Sequence, residues 1–174
     1  EWLVSRLLMT LADAVVMLTS DYRDQLEARL GHAWKDSKVH LIPNGIDTQA
    51  FKPRLDAASR KPRVIGMAAR MATNKRQGLL IDAMQALCMC DGRDAWRLSL
   101  AGDGETLPLL RQQVQSLGLD DVVSFPGFLG APQLQAWFDS INIYAHASAG
   151  ETLSTSLLQA MAMGLPIVGS DVPG

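Results

Sequence analysis

Cysteine is almost missing from this chain: there are 2 in 174 residues, Cys88 and Cys90. They stand two apart on a predicted helix, where such neighbours do not face each other. No second pair exists for a disulfide framework or a zinc ribbon, so both read as reduced thiols of a cytosolic protein. Charge of one sign is also missing. Lys+Arg total 16 and Asp+Glu 18, a net charge of -2, which offers no field to nucleic acid. No apolar run approaches the ~18 residues of a membrane span. The opening W-L-V-S-R-L-L-M-T-L-A-D-A-V-V-M-L comes nearest, but Arg6 and Asp13 interrupt it and it lacks the basic start of a signal peptide. A docked helix followed by a buried strand is the better reading. HExxH, EF-hand, CxxC and Walker-lysine patterns are absent, and His32, His40 and His146 are too scattered for a zinc site.

What is present is a regular alternation of short apolar runs and amphipathic stretches. Residues 2–11 read as a helix and Ala14–Leu18 as a strand. Ser20 caps a second helix, Asp21–Leu30, closed by Gly31. Val39–Ile42 is another strand, punctuated by Pro43-Asn44-Gly45. From Asp47 to Pro62 the chain is polar, with prolines at 53 and 62, and reads as a connection between two structural units. A second series then begins. It predicts strand Val64–Ala68, helix Gln77–Cys90, strand Trp96–Ala101, helix Glu105–Leu117 and strand Val122–Phe125. Helix Pro132–Phe138, strand Ile141–Tyr144, helix Ser154–Met163 and strand Pro166–Gly169 complete it. Such a series predicts an α/β fold, with right-handed βαβ units around a parallel sheet.

Ligands of such sheets sit beyond the carboxyl ends of the strands. That rule selects the loops Arg70–Lys75, Gly102–Glu105, Phe125–Gly130 and His146–Ser154. Arg70 and Lys75 place two cations at the ligand edge, suited to a diphosphate; with Arg76 they also fit a solvated basic loop. Gly102-Asp103-Gly104 lets the backbone approach a ligand, or only makes the turn. Glu151 follows a stretch of small residues as an exposed acid at a loop tip. Its carboxylate suits two sugar hydroxyls, and an ordinary helix-start acid is the alternative. Thr152, Leu153 and Ser154 come at the start of a helix, where free N–H groups receive phosphate. Met161 and Met163 read as packing residues.

These stretches resemble, in order and spacing, the retaining, nucleotide-sugar-dependent glycosyltransferases of the GT-B fold, family four, the glycosyl transferases of group 1. The match is carried by L-A-D-A-V-V-M-L-T-S, by V-H-L-I-P-N-G-I-D-T-Q-A-F-K-P and by G-M-A-A-R-M-A-T-N-K-R-Q-G-L-L-I-D-A. L-A-G-D-G-E, V-S-F-P-G-F and the closing G-E-T-L-S-T-S-L-L-Q-A-M-A-M-G-L-P-I-V-G-S-D-V-P-G complete it. The resemblance implies that residues 1–52 end an N-terminal acceptor-side domain and make the interdomain crossing. Residues 53–174 would be an incomplete, Rossmann-like nucleotide-sugar-binding domain. Further units are expected beyond Gly174 and most of the acceptor domain before Glu1, so that this piece alone would not transfer sugar.

The same resemblance assigns roles. Arg70 and Lys75 would bind the donor diphosphate and stabilise charge on the departing nucleotide, and Glu151 would hold donor sugar hydroxyls. The backbone at Thr152, Leu153 and Ser154 would meet the diphosphate. Phe128 would lie near the base, Gly102 and Gly104 would keep their loop close to the donor, and Ser148 would line the sugar pocket. Gly66 matches the family's glycine-rich cleft edge only loosely. Gln159 stands where the family usually has a second acid on the ribose hydroxyls; its amide keeps an acceptor and loses the charge. No metal and no cofactor beyond the nucleotide-sugar donor is expected. The expected acceptor is a saccharide or lipid-linked saccharide, and the setting is envelope or exopolysaccharide synthesis in the bacterial cytoplasm. Peripheral membrane association would run through the N-terminal domain. A non-catalytic nucleotide-sugar-binding module, or a GT-B-type epimerase or phosphorylase, is the alternative.

Overall fold

The computed structural model describes residues 2–53 and 62–172. It divides into two compact units. The first contains the segment up to Gly45 together with Gly150–Ser154 and Val172, and the second contains Ile46–Ala149 and Thr155–Asp171. Among the described residues, no helix is long and apolar enough to cross a membrane.

In the first unit, α1 (Trp2–Leu11) leads into β1 (Val15–Met17), then α2 (Ser20–Leu30) and β2 (Val39–Leu41). The two strands pair in parallel, Val15 opposite Val39 and Met17 opposite Leu41. The Lys38 ammonium donates to the Thr10 carbonyl at 3.2 Å, placing a cation at the C-terminal end of α1. The cap of α2 is Thr19 and not Ser20: the Thr19 hydroxyl accepts from the Tyr22 N–H at 3.3 Å, while Ser20 is already helical. Thr19 keeps extended dihedrals, φ -136° and ψ 152°, as an N-cap requires. Gly31 closes the helix as predicted, with φ 51° and its N–H on the Glu27 carbonyl.

The second unit is a five-stranded parallel sheet in the order β5-β4-β3-β6-β7. Its strands are β3 (Arg63–Ala68), β4 (Trp96–Ala101), β5 (Val123–Gly127), β6 (Ile143–His146) and β7 (Ile167–Gly169). Its helices are α3 (Gln77–Asp91), α4 (Leu107–Ser116), α5 (Ala131–Ser140) and α6 (Thr155–Ala162). The period of two along β3 separates two cores. Ile65 and Met67 join Ile81 and Met84 of α3 and Leu110 and Val114 of α4 on one face. Val64 and Ala68 join Trp137 and Phe138 of α5 and Ala160 of α6 on the other. Helices therefore cover both faces, which is why the central strands read as continuous apolar runs. The parallel α/β sheet that the alternation predicted is thus doubly wound, and Rossmann-like as the resemblance implied.

Several predicted details change. The strand expected at Ile141–Tyr144 starts two residues later because α5 runs to Ser140. Ile141 is then a buried plug, and Asn142 continues the ladder through its side chain, its Oδ1 accepting from Val64 N–H at 2.8 Å. β5 extends through Pro126 to Gly127, where a register irregularity brings Gly127 opposite Ala101. Met163 packs as expected but Met161 is 59% exposed, since the short α6 turns Ala160 and Met163 inward instead. The predicted connection lies partly in residues 54–61, outside the described residues. Its first part is more than a connection. Phe51 is buried edge-on against Phe138, at 5.8 Å between ring centroids, and the Gln135 side chain donates to the Ala50 carbonyl at 2.7 Å.

Candidate functional site

The winding of the sheet selects the site. From β3 the chain moves outward through β4 and β5, then returns to the other side of β3 for β6 and β7. Two loops thus leave neighbouring strands in opposite directions, and sheets wound this way bind ligands at such a switch point, here the carboxyl ends of β3 and β6. The β3 loop carries Arg70 and Lys75; the β6 loop begins at Ala147 and Ser148.

Hydrogen bonds lock these loops together. Asn74 offers its main-chain carbonyl to the Ala149 N–H at 2.7 Å and to the Ser148 hydroxyl at 3.3 Å. The Ser148 N–H donates to the Ser170 hydroxyl oxygen at 3.2 Å. Ser148 was expected to line a sugar pocket; it is fully buried, and its hydroxyl ties the β6 loop to the β3 loop.

On the other side, the β4 loop meets the β3 loop. The Met71 N–H donates to the Asp103 carbonyl at 2.8 Å, and the Thr106 N–H returns to the Met71 carbonyl at 3.1 Å. Glycine is what permits this approach. Gly102 and Gly104 have φ +132° and +151°, and a Cβ on either would run into the carbonyl oxygen of Ala69 or Met71 respectively. These glycines hold loop against loop, whichever ligand lies above them. Gly66 has a similar packing duty: a Cβ there would meet Ile141 and the Trp137 ring at 2.8 Å. Trp137 is itself fixed by its Nε1 donating to the Ser99 hydroxyl oxygen at 2.8 Å.

The side chains singled out in the sequence are distributed as follows. Arg70 is exposed beyond the end of β3. Lys75 is half-buried and ends a 3₁₀ turn, Thr73–Lys75, its N–H on the Ala72 carbonyl at 2.9 Å. Phe128 is 83% exposed just after β5, an aromatic face left open at the sheet's carboxyl edge. Gln159 is half-buried in α6. All of these, with Gly102, Gly104 and Ser148, belong to the second unit.

Glu151, Thr152, Leu153 and Ser154 belong to the first unit. There, the Asn44 side chain of the Pro43-Asn44-Gly45 turn donates to the Leu153 carbonyl at 2.9 Å. Glu151 is half-buried and not an exposed tip, and the helix opens at Thr155, so Thr152, Leu153 and Ser154 precede it. Residues that sequence reasoning missed are Asn74, Asn44 and Gln77. All act at main-chain carbonyls, their own or a partner's, for which no residue pattern exists. Among the described residues, no group of three His, Cys, Asp or Glu side chains is placed to hold a metal ion.

The sequence and the fold have counterparts in known proteins. The family described as glycosyl transferases group 1 matches residues 62–174. Mannosylfructose-phosphate synthase of Agrobacterium fabrum is 31% identical over 148 residues, covering 77% of this chain and 33% of that protein. Exopolysaccharide phosphotransferase SCO2592 of Streptomyces coelicolor is 33% identical over 162 residues, covering 92% of this chain and 16% of the other. In structure, Alr3699/HepE of Anabaena, solved with UDP and glucose, superimposes with a TM-score of 0.79 at 24% identity, over 99% of this chain and 48% of its own. The chain spans less than half the length of each of these proteins. The extent of the family match, together with the doubly wound sheet and its loops, leads to one conclusion: the chain belongs to the glycosyl transferases of group 1 and has the Rossmann-like fold of a GT-B donor domain.

Proposed function

We propose that the protein is a retaining glycosyltransferase that moves a sugar from a nucleotide diphosphate sugar to an acceptor hydroxyl. The observation that carries this reading is the β3–β6 switch point, where a loop bearing Arg70 and Lys75 is bonded to the loops after β4 and β6. Two cations on a fixed loop suit a diphosphate, one as a directional fork and one as a point charge. In the reaction, the bond between the anomeric carbon and the diphosphate oxygen breaks. Its electron pair goes to the diphosphate, and Arg70 and Lys75 stabilise the charge that develops there. The acceptor oxygen bonds to the same face of the sugar and gives its proton to the departing phosphate. Glu151 holds the donor sugar's hydroxyls, and the Thr152–Ser154 backbone N–H groups meet the diphosphate. Phe128 lies near the base, and Gln159 meets the ribose through a neutral amide.

No metal takes part in this reading. UDP is the first nucleotide to try, since it occupies the structural relative from Anabaena. We place residues 1–52 in an acceptor-side domain and its crossing, and 53–174 in the donor domain. The cellular setting is polysaccharide assembly at the cytoplasmic face of a membrane, on a saccharide or lipid-linked saccharide acceptor. The exopolysaccharide role named for the Streptomyces relative supports that setting.

The test is turnover of UDP-sugars by the whole protein, with product analysis by NMR. The expected result is a glycoside with the donor's anomeric configuration, made at least about a hundredfold more slowly after Lys75→Ala or Glu151→Ala. A product of phosphate transfer, epimerisation or phosphorolysis, or full activity in both variants, would overturn the reading.

A further inference from the structure

Gln77 opens α3, and its side chain is 2% exposed. A buried primary amide is costly unless its polar atoms find partners. Its Nε2 donates to the main-chain carbonyl of Arg70 at 2.9 Å, reaching back seven residues. That bond closes the β3 loop into a ring, with Arg70 at one end and Lys75 just inside the other. Three further carbonyls of the ring are bonded inside the protein as well. Met71 accepts from Thr106, Ala72 from Lys75 and Asn74 from Ala149, at 3.1, 2.9 and 2.7 Å. Arg76 completes the ring in the left-handed region, φ 47°, the only non-glycine with positive φ among the described residues. Side chains with a Cβ rarely adopt that conformation, so the ring imposes it.

A loop bonded in this way keeps its shape without a ligand. The backbone that carries the two cations loses little freedom when an anion arrives, which strengthens binding without adding a contact. The geometry points to Gln77 as a positioning residue for the Arg70–Lys75 pair, a role that rests on the donor-diphosphate reading of that pair. Gln77 touches no ligand. Its amide fixes where the Arg70 backbone turns, and through it where the two cations meet a nucleotide diphosphate.

The test uses UDP and uridine as probes in protein carrying Gln77→Met or Gln77→Leu. Both substitutions remove the amide donor without adding a charge, and methionine keeps nearly the same side-chain length. The dissociation constant for UDP is expected to rise roughly three- to tenfold, the scale of one lost hydrogen bond, while that for uridine, which carries no phosphate, stays within about twofold. The same substitution made on top of Arg70→Ala is expected to cost UDP less, because it acts through Arg70. Equal weakening of UDP and uridine would overturn the role, since a general loosening of the domain predicts that. Unchanged UDP affinity in a folded Gln77→Met protein, with Arg70→Ala weakened, overturns the positioning role alone. Wild-type UDP affinity in both Arg70→Ala and Lys75→Ala overturns the donor reading and the inference with it. Should neither Gln77 variant fold, the native protein decides by NMR. Its Gln77 side-chain amide is expected to exchange slowly with water in the absence of nucleotide; exchange as fast as a free glutamine contradicts the ring.

Discussion

Gly102 shows at the scale of one residue how the candidate site is built by backbone. Alanine there puts a Cβ into the Ala69 carbonyl oxygen at a φ of +132°, so the β3 and β4 loops must part. Gly102→Ala is expected to lower stability by about 1–3 kcal/mol, read as a reduced urea midpoint at unchanged slope. A neutral result would mean that the loops approach less closely than described. Charge at this scale acts differently. The Arg93 guanidinium beside Asp121 holds that carboxyl below its ordinary 3.8, chiefly through their side-chain hydrogen bond, and Asp121 raises Arg93 in return. Because the folded value of Asp121 is the lower one, its stabilisation is complete above 3.8 and is lost as pH falls from there through the lowered value. The arginine's share is lost only at far alkaline pH. Asp121→Asn is therefore expected to melt slightly below wild type at neutral pH and to converge with it in acid. The gap stays small because both side chains are largely exposed, and salt narrows it further. A gap that widened in acid would contradict the assignment.

Elements are held by contacts that sequence periodicity reveals unevenly. The Gly66 site shows one that it hides. β3 can lie against α5 and Ile141 only because no side chain stands at position 66. Gly66→Ala is expected to cost about 1–3 kcal/mol by overpacking, seen as a lower melting temperature, because the Trp137 ring is pinned to Ser99 and cannot yield. Wild-type stability in that variant would show that the α5 contact is looser. Glycine in a strand reads equally well as a cleft edge or as close packing, and only the neighbours decide between them. Period and turn chemistry were more legible. The apolar run Val64–Ala68, the Gly31 stop and the order of strands and helices all follow from local pattern. The boundary at Ile141 was not legible, because an apolar residue plugging a helix end looks like the first residue of a strand. Nor was the choice between Thr19 and Ser20, since either hydroxyl suits a cap and one residue of phase separates them. At the site, the cations and glycines announced themselves by type. Asn74 and Gln77 did not, because their work is done at main-chain carbonyls.

At the scale of the whole molecule, topology selects the candidate site. A sheet wound outward from β3 on both sides leaves its two central loops diverging, and that holds for any doubly wound parallel sheet. What distinguishes this chain is the set of groups placed there: a ring-closed loop with Arg70 and Lys75, two glycines that admit the β4 loop, and an open Phe128. Membership of the group 1 glycosyl transferases fits that set, and the donor reading gives each member a task. A ligand that binds only the folded state also stabilises it by mass action, so saturating UDP is expected to raise the melting temperature. The most direct test maps where UDP binds, by titrating it into isotope-labelled protein and following backbone amide resonances. The account predicts saturable shifts concentrated at residues 69–76, 102–106 and 126–130 and along 147–159, diminished in Lys75→Ala. Shifts centred elsewhere on the sheet, or none at millimolar UDP, would contradict it.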